Sequence, residues 1–591
     1  MILLNNGIKQ ENFNFSSNHP FLVDEFTASR IEAIKGPASL QYGSDAVGGV
    51  INVVRERPAQ PNSLEGDVTA HYNANTIGYL TTLGLRGSVE NFFLSARGSL
   101  KSHEDFRDGN NAVIANTRFN EQNASVSAGA RLPFGIFALN YNYTKAKYGL
   151  QNQSQINLFQ AQPDLIEKGR NNQVWYQNLD NSFISSNNTI FFGNHTLDVD
   201  LGYQMNRREG IGGAYNPQQR QLNIPSFALM QLNTFTANAK LNLSLEDKRL
   251  LFGLNFANVR NDADETRPNN PLLDSEINDA GVYAIADFKL AEPLIFTGGL
   301  RYDFRNMKSY PTQTQTTNQF KVDNTYNNLT GSIGVIYNVS PSQFVKVNLA
   351  RGFRSPTMPE LTQNGIHGGR YERGNPNFKP QINHQVNLNY HLHADWLTLD
   401  ISPFYNIVSG YIYLVQTNEP APIGQGRVFQ HTQNDATLYG GEAMLDLHPL
   451  EWVGLHLTYS LVRAELSGDP LGFKHPTFIP QDRLIGEIKF EQKNLGFFKR
   501  PYLALEAMHF FEQNRTGQNE TATPAYTLLN ARAGASIPIG GQDIDVFIIG
   551  NNLTNAAYID HLSVTKPLNL NMIGRNIVFG VQAPFALRKG D

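Results

Sequence analysis

The chain has no cysteine among its 591 residues. Disulfide bonds and thiolate metal sites are therefore excluded. It also lacks any apolar run of the roughly 18 residues that a membrane-spanning helix requires. Lysine and arginine form no blocks and the formal net charge is only −4, so nothing supports nucleic-acid binding.

The mean hydropathy of −0.36 leaves one class of membrane protein open. In a transmembrane β-barrel only every second residue of a strand faces lipid, while the others face a polar lumen. A low average hydropathy is therefore compatible with a barrel that spans a membrane.

Two-residue alternation recurs along most of the chain from about Leu64. From Phe235 to Leu245 every second residue is apolar and the residues between are polar. Eleven such residues match one tilted crossing of a bilayer. A short polar turn follows, and the pattern resumes from Leu250 to Phe256, which predicts a hairpin.

The stretch from Leu197 to Met205 alternates in the same way but carries Asp198 and Asp200 on its polar side. Carboxylates are costly when they face lipid, so we expect these two side chains to point into the lumen.

Long connections rich in Asn, Gln, Gly and Pro separate many of the strands, as expected for extracellular loops that alternate with short periplasmic turns. We predict such loops at 148–177, 206–233, 258–279, 305–327 and 353–384. Dividing roughly 520 residues by about 24 per strand and connection gives about 22 strands. The predicted fold is all-β, a large antiparallel transmembrane β-barrel.

A glycine-rich stretch near the start, RIEAIKGPASLQYGSDAVGGVINVVRERP, begins at Arg30. It predicts a strand to residue 35, a turn, an elbow at 42–45 and a second strand at 50–54. The stretch resembles the closing segment of the plug domain of TonB-dependent outer-membrane receptors. The residues that carry the resemblance are Arg30, Glu32, Gly36, Pro37, Gly43, Asp45, Gly48 and Gly49.

Further segments resemble the same family in the family's order. They are GLRYD in 282–304, FRSPTMPEL in 331–361, NPNFKP in 373–380, LYGGEAML in 438–445, YTLLN in 526–530 and GNNLTN in 550–560. The last strand, 574–585, resembles the terminal signal by which outer-membrane barrels are recognised for assembly.

The resemblance implies two domains: 1–60 as the C-terminal part of a plug domain in the lumen, and 61–591 as the barrel. Residues 1–29 resemble the middle of a plug and carry no export signal. We therefore expect the chain as written to lack the first part of the plug, including the segment that contacts TonB.

The resemblance also implies a function. We expect a monomeric outer-membrane receptor that binds an iron chelate (a siderophore or haem) or another scarce metal complex at its extracellular loops. The TonB energy-coupling complex and outer-membrane lipid are its expected partners, and we expect neither catalytic residues nor a cofactor. The alternatives are a passive or inactive pore, or an importer of zinc, cobalamin or oligosaccharide.

The sharpest ligand hypothesis concerns the segment from Phe353 to Phe378, where FRSP, His367 and NPNF follow one another. This layout is similar to haem receptors of the family, and also to zinc-uptake members. An imidazole can be an axial ligand of haem iron. Candidate metal ligands are His367, His384, His431 and His475.

Other loop residues are candidates for stacking on, or pairing with, an anionic chelate. These are Arg370, Tyr371, Arg373 and Phe429.

For three groups we favour a role other than ligand binding. Asp262, Asp264 and Glu265 form an acidic loop cluster that we interpret as solvated. We expect His391 and His393 to be hydrogen-bonded lumen residues at the periplasmic end. Arg30, Glu32 and Arg55 either hold the plug fold, which we favour, or join the plug to the wall.

Overall fold

The structure is a computed structural model. It describes residues 2–12, 22–34, 40–161, 169–172, 174–216, 221–223, 225–264, 266–267, 272, 274–310, 318–367, 369–424, 426–468 and 472–588. Among these residues no helix is both long and apolar enough to cross a membrane.

The first 55 residues form a small mixed sheet, which we call the plug sheet. Its strands are β1 (Ile2–Asn5), β2 (Ile8–Lys9), β3 (Ala28–Ile34) and β4 (Val50–Arg55), in the order β2-β1-β4-β3. The β1 and β4 strands are parallel, and the other two pairs are antiparallel. Both strands predicted from the glycine-rich stretch are present.

In the described residues, 22 long strands close into one antiparallel barrel, as predicted. They are β5 (Ser63–Asn73), β6 (Gly78–Val89), β7 (Phe92–His103), β8 (Phe119–Leu132), β9 (Gly135–Gly149), β10 (Tyr176–Phe192), β11 (His195–Ile211), β14 (Ser226–Ser244), β15 (Lys248–Ala263), β16 (Ser275–Ala291), β17 (Leu294–Ser309), β18 (Asp323–Ser340), β19 (Gln343–Arg354), β22 (Gln381–Ala394), β23 (Leu397–Pro420), β24 (Arg427–Leu450), β25 (Val453–Ser467), β26 (Arg483–Glu491), β28 (Phe498–Phe510), β29 (Tyr526–Ile539), β30 (Gln542–Asn551) and β31 (Asn576–Arg588).

Shorter elements lie in the connections between these strands. They are the helices α1 (Gln153–Ala161) and α2 (Met358–Thr362) and the strands β12 (Ala214–Asn216), β13 (Gln221–Asn223), β20 (Asn364–His367), β21 (Arg370–Arg373) and β27 (Asn494–Leu495).

The last strand closes the barrel on the first, because β31 pairs with β5 along its length, from Val578 opposite Asn73 to Arg588 opposite Ser63. Every backbone donor and acceptor of such a closed ladder has a neighbour, which removes the exposed edges of an open sheet.

The predicted alternation places apolar side chains outward and polar side chains inward. Leu254 is 60% exposed on the outer face of β15. Inside the barrel, Asp198 forms an ion pair with Lys240 at 3.1 Å, and Asp200 accepts a hydrogen bond from Asn187 at 2.7 Å. Both carboxylates point into the lumen, as predicted.

The plug sheet lies within the lumen and is bound to the wall through polar contacts. The Asn187 amide donates to the carbonyl of Asn6 at 3.2 Å, and Arg301 Nη1 donates to the carbonyl of Gln41 at 3.1 Å. Arg305 lies 3.9 Å from Asp45 and 2.5 Å from Asp279 of the wall.

The predicted long loops are shorter than expected, which corrects their limits. The strand β11 continues to Ile211, and β14 begins at Ser226, so the predicted loop 206–233 loses several residues at each end. Beyond the hydrocarbon layer the outward side chains need not be apolar. The hydrogen-bonded ladder therefore continues after the alternation that marked it has ended.

Arg30, Glu32 and Arg55 bind partners within the plug sheet rather than the wall. Arg30 pairs with Glu32 at 2.7 Å, Asn52 donates to Glu32 at 3.0 Å, and Arg55 donates to Asn5 at 3.3 Å. They hold the plug sheet together, which is the interpretation that we favoured. Gly36 and Pro37 lie outside the described residues.

The elbow of the plug has the backbone that its sequence predicts. Gly43 and Asp45 take φ values of +78° and +74°, and Gly49 takes +91°. Left-handed backbone favours glycine and tolerates aspartate.

Candidate functional site

A two-stranded hairpin, β20 and β21, projects from the connection between β19 and β22. Its strands pair with His367 opposite Arg370, the sequence between these two residues is Gly-Gly, and Gly369 takes a φ of +84°. Two glycines between paired strands are typical of a tight hairpin turn. Because short turns alternate with long connections around the barrel, the hairpin lies at the end that we assign to the extracellular side.

The hairpin is fixed to the barrel. Its second strand runs parallel to the start of β24, with Glu372 opposite Phe429. The Gln430 amide donates to the carbonyls of Arg373 and Gly374, each at 3.2 Å. Arg373 makes a bidentate pair with Glu419 of β23, at 2.7 and 2.8 Å.

Beneath the hairpin lies an apolar cluster formed by α2 and the inner faces of strand ends. Its members are Met230, Leu232, Val259, Leu272, Met307, Val322, Tyr326, Met358, Leu361, Phe378 and Ile412. The helix α2 begins at a capping box in which Thr357 accepts from the Glu360 backbone and Glu360 accepts from the Thr357 backbone. The loop that carries the hairpin is thus packed rather than free.

Glu372 is the centre of the site. One of its oxygens lies 2.9 Å from His367 Nδ1, and the other accepts from Arg370 Nε at 2.7 Å. Burial alone would raise the pKa of Glu372, but the hydrogen bonds and charges of His367 and Arg370 lower it to about 2. The carboxylate is therefore ionised at neutral pH.

Phe429 and His431 complete the cluster. The Arg370 guanidinium lies 4.8 Å from the centre of the Phe429 ring. His431 is close enough to interact electrostatically with Glu372 and His367, and its Nδ1 is buried without a hydrogen-bond partner among the described residues. The structure thus brings together His367, Arg370, Phe429 and His431, four of the residues singled out in the sequence.

Tyr371 points the other way. The residue is only 6% exposed and its hydroxyl donates to Asn364 Oδ1 at 2.8 Å, so it supports the hairpin. Glu372 was missed in the sequence, although alternate residues of a strand share a face and it lies two positions after Arg370.

The arginines of this region already have carboxylate partners. Arg370 pairs with Glu372, Arg373 with Glu419, and Arg354 with Glu360. A strongly anionic chelate would have to break these pairs, which counts against the expectation that the arginines serve such a ligand.

His384 and His475 lie elsewhere. His384 is exposed and alternates with the outward Val386 and Leu388, whereas His475 Nδ1 lies 3.0 Å from the Ala464 carbonyl. Within the described part of the chain, no three His, Asp or Glu side chains are grouped to hold a metal ion. We leave these two histidines out of the proposed site.

The remaining polar groups have contacts that fit the solvated or structural roles that we favoured. Asp262 pairs with Arg260 at 2.9 Å and Asp264 with Arg267 at 3.1 Å, while Glu265 lies outside the described residues. Beside the turn that we assign to the periplasmic end, His391 pairs with Asp400 at 2.9 Å and His393 contacts Thr398 at 2.9 Å.

The loop that bears the hairpin also contacts the plug elbow, a feature that the sequence did not reveal. The Asp45 backbone N–H donates to the Phe353 carbonyl at 3.4 Å, and the Ser355 N–H donates to Ser44 Oγ at 3.4 Å. The plug elbow therefore touches the start of the loop from which the hairpin projects.

Comparisons with known proteins agree with this architecture. Residues 59–553 match the family described as TonB dependent receptor-like, beta-barrel, and residues 2–50 match the TonB-dependent Receptor Plug Domain. The chain is 24% identical over 536 residues to the iron-regulated outer membrane virulence protein of Vibrio cholerae, covering 88% of this chain and 71% of that protein.

Two solved structures share the fold. The copper transporter OprC superposes with a TM-score of 0.80 at 14% identity, covering 99% of this chain and 90% of that one. The FrpB iron transporter of Neisseria meningitidis superposes with a TM-score of 0.76 at 14% identity, covering 99% and 91%. With a plug sheet inside a closed barrel and both domain families matched, the chain belongs to the TonB-dependent receptor family of the outer membrane.

Proposed function

We propose that this receptor binds an iron chelate at the β20–β21 hairpin and imports it to the periplasm with TonB coupling. The family consists of receptors and transporters rather than enzymes. Similarity to a protein named for iron regulation and to an iron transporter supports iron as the cargo.

The observation that carries the proposal is the orientation of His367. Its Nδ1 faces the Glu372 carboxylate, whereas Nε2 has no hydrogen-bond partner among the described residues. A carboxylate on one ring nitrogen fixes the tautomer and makes the other nitrogen a better metal ligand. Haem, whose iron accepts an axial imidazole, is the chelate that we propose to test first.

The pairing of the site's arginines with carboxylates also supports haem as the ligand. Each arginine of the site is paired with a carboxylate, so little positive charge is free for a highly anionic chelate. A planar chelate whose iron has an open coordination position can instead be bound through a histidine imidazole. An aromatic ring such as Phe429 offers a face on which such a chelate can stack.

Haem binding is measured by absorbance titration of the purified receptor. We expect His367→Ala to weaken binding tenfold or more, which is about 1.4 kcal/mol. His475→Ala, on a separate loop, is the matched control and should bind as wild type. Equal affinity of His367→Ala and wild type would refute the role of His367.

TonB coupling is tested by uptake in whole cells. We expect a protonophore to abolish accumulation of the bound chelate while surface binding persists, because the family's motor uses the inner-membrane proton gradient. Uptake that continues without the gradient would contradict coupling and would favour a passive pore.

A further inference from the structure

A groove of about 440 Å³ lies on the outer face of the barrel, where strands β14 to β17 face the hydrocarbon layer. Two outward alanines form its floor. Ala284 of β16 lies between Phe252 of β15 and Leu300 of β17. In the next row, Ala239 of β14 lies opposite Leu254 of β15. Large apolar side chains therefore stand as rims beside a low floor.

Small residues continue from the groove toward the periplasmic turns. The next outward position of β16 is Ala286, opposite Gly298 of β17. The outward position after it is Phe288, opposite Lys248, whose ammonium lies 5.9 Å from the centre of that ring. From Ala284 to Phe288 the strand extends about 13 Å. The hydrocarbon of one leaflet is about 15 Å thick, so the groove lies within the periplasmic leaflet.

The turn between β14 and β15 carries charges that are not neutralised within the part of the chain that the structure describes. Backbone hydrogen bonds between Leu245 and Lys248 close the turn, which places Glu246 and Asp247 at its tip. Lys248 forms no ion pair there, and neither do the two tip carboxylates. The neighbouring charges are paired with one another: Arg249 with Asp287, and Lys289 with Glu292.

Each part of this surface matches one part of a zwitterionic phospholipid. An acyl chain in the groove gains dispersion contacts from the floor and from both rims. A phosphate accepts charge-assisted hydrogen bonds from Lys248, and an ammonium group donates them to Glu246 and Asp247. A lipid whose headgroup carries only negative charge would meet the same lysine but would be repelled by the two carboxylates.

We infer that this surface binds phosphatidylethanolamine of the periplasmic leaflet, with one acyl chain in the groove and the headgroup at the β14–β15 turn. The whole outer face of the barrel contacts lipid, but this site holds one lipid molecule in place. It lies apart from the β20–β21 hairpin and outside the lumen, so the inference does not depend on the cargo of the receptor.

Native mass spectrometry of the full chain in detergent tests the groove. Phosphatidylethanolamine and phosphatidylglycerol with identical acyl chains are added in equal amounts. We expect each receptor to retain one phosphatidylethanolamine, at least tenfold more often than phosphatidylglycerol. Ala284→Phe should lower this retention tenfold or more, because the new ring fills the groove. Ala124→Phe, at an exposed alanine of β8 outside the groove, is the matched control and should retain lipid as wild type.

Further variants test the headgroup contacts in the same experiment. Lys248→Gln should weaken the retention of both lipids, because both carry a phosphate. The double variant Glu246→Gln with Asp247→Asn should retain the two lipids equally, because it removes both the acceptor of the ammonium and the repulsion. Lys499→Gln, near another periplasmic turn and paired with Asp543, is the control for the lost lysine.

Heat-dependent migration in gels verifies that each variant has folded. Equal retention of the two lipids by the wild type would refute the assigned headgroup and overturn the inference. Retention that Ala284→Phe leaves unchanged would place the lipid elsewhere on the apolar face and would overturn it too. A receptor dimer that forms without retained lipid and that Ala284→Phe dissociates would make a second copy of the chain the occupant, which is the third contrary outcome.

Discussion

Glu372 controls the candidate site because one carboxylate holds both His367 and Arg370. We expect Glu372→Gln to weaken haem binding about tenfold, since the loss of a group that orients a metal-binding histidine typically has that effect. Absorbance titration measures the affinity, with Glu465→Gln, a partly exposed residue of β25 outside the site, as control. Unchanged affinity would show that His367 keeps its orientation without the carboxylate.

The same residue makes the hairpin sensitive to acid. Its folded-state pKa of about 2 lies below the ordinary value of 4.5, so its stabilising contribution is complete above about pH 4.5 and is lost as the pH falls toward 2. Hydrogen exchange of residues 364–373 should accelerate over that interval in the wild type. In Glu372→Gln the exchange rate should not change between pH 4.5 and 2 beyond its intrinsic pH dependence.

Because Gly43 has no side chain, Arg301 of the wall can approach the plug closely at this position. The φ of Gly43 is +78°, and a Cβ there would lie 2.6 Å from Arg301 Nη2, whose guanidinium binds the plug at Gln41. We expect Gly43→Ala to lower the free energy of unfolding by roughly 1 to 2 kcal/mol. Urea denaturation measures the change. Gly87→Ala, whose Cβ meets only ordinary contacts, should differ little from wild type.

At the scale of elements, α2 links the hairpin to the barrel. Thr357→Ala removes its N-cap and should cost about 1 kcal/mol locally, because Glu360 loses one of its two links to that residue. Hydrogen exchange of residues 357–363 should accelerate several-fold, whereas Thr81→Ala on the outer face of β6 should leave it unchanged. No acceleration would mean that the Thr357 hydroxyl is not needed to hold the start of α2.

The strands that show alternating apolar and polar residues could be predicted from the sequence. The elements that depend on tertiary contacts could not. The β14–β15 hairpin follows the sequence pattern closely, with Leu243 opposite Leu250. The short hairpin at His367 was missed because four residues per strand are too few to show a period. Its approach to Phe429, more than fifty residues away, depends on the parallel contact with β24, which no local pattern encodes.

At the scale of the molecule, Arg305 joins plug to wall through Asp45 and Asp279. Arg305→Leu would remove the arginine that these two carboxylates share, and the loss of one partner typically costs about 3 to 5 kcal/mol when the pair is buried. We expect a looser plug and a higher ion conductance in planar bilayers. Arg249→Leu, exposed on β15, should conduct as wild type, and equal conductance of both variants would argue that other contacts hold the plug.

The pairing of β31 with β5 also sets the order of events in biogenesis. The two strands are separated by nearly the whole chain, so the final seam forms only after the ribosome has released the C-terminus. Until then both edges remain unpaired and prone to aggregation, and the contact that pairs them spans almost the whole sequence. A nascent chain therefore depends on chaperones, and a premature stop codon before residue 576 leaves no barrel that can close.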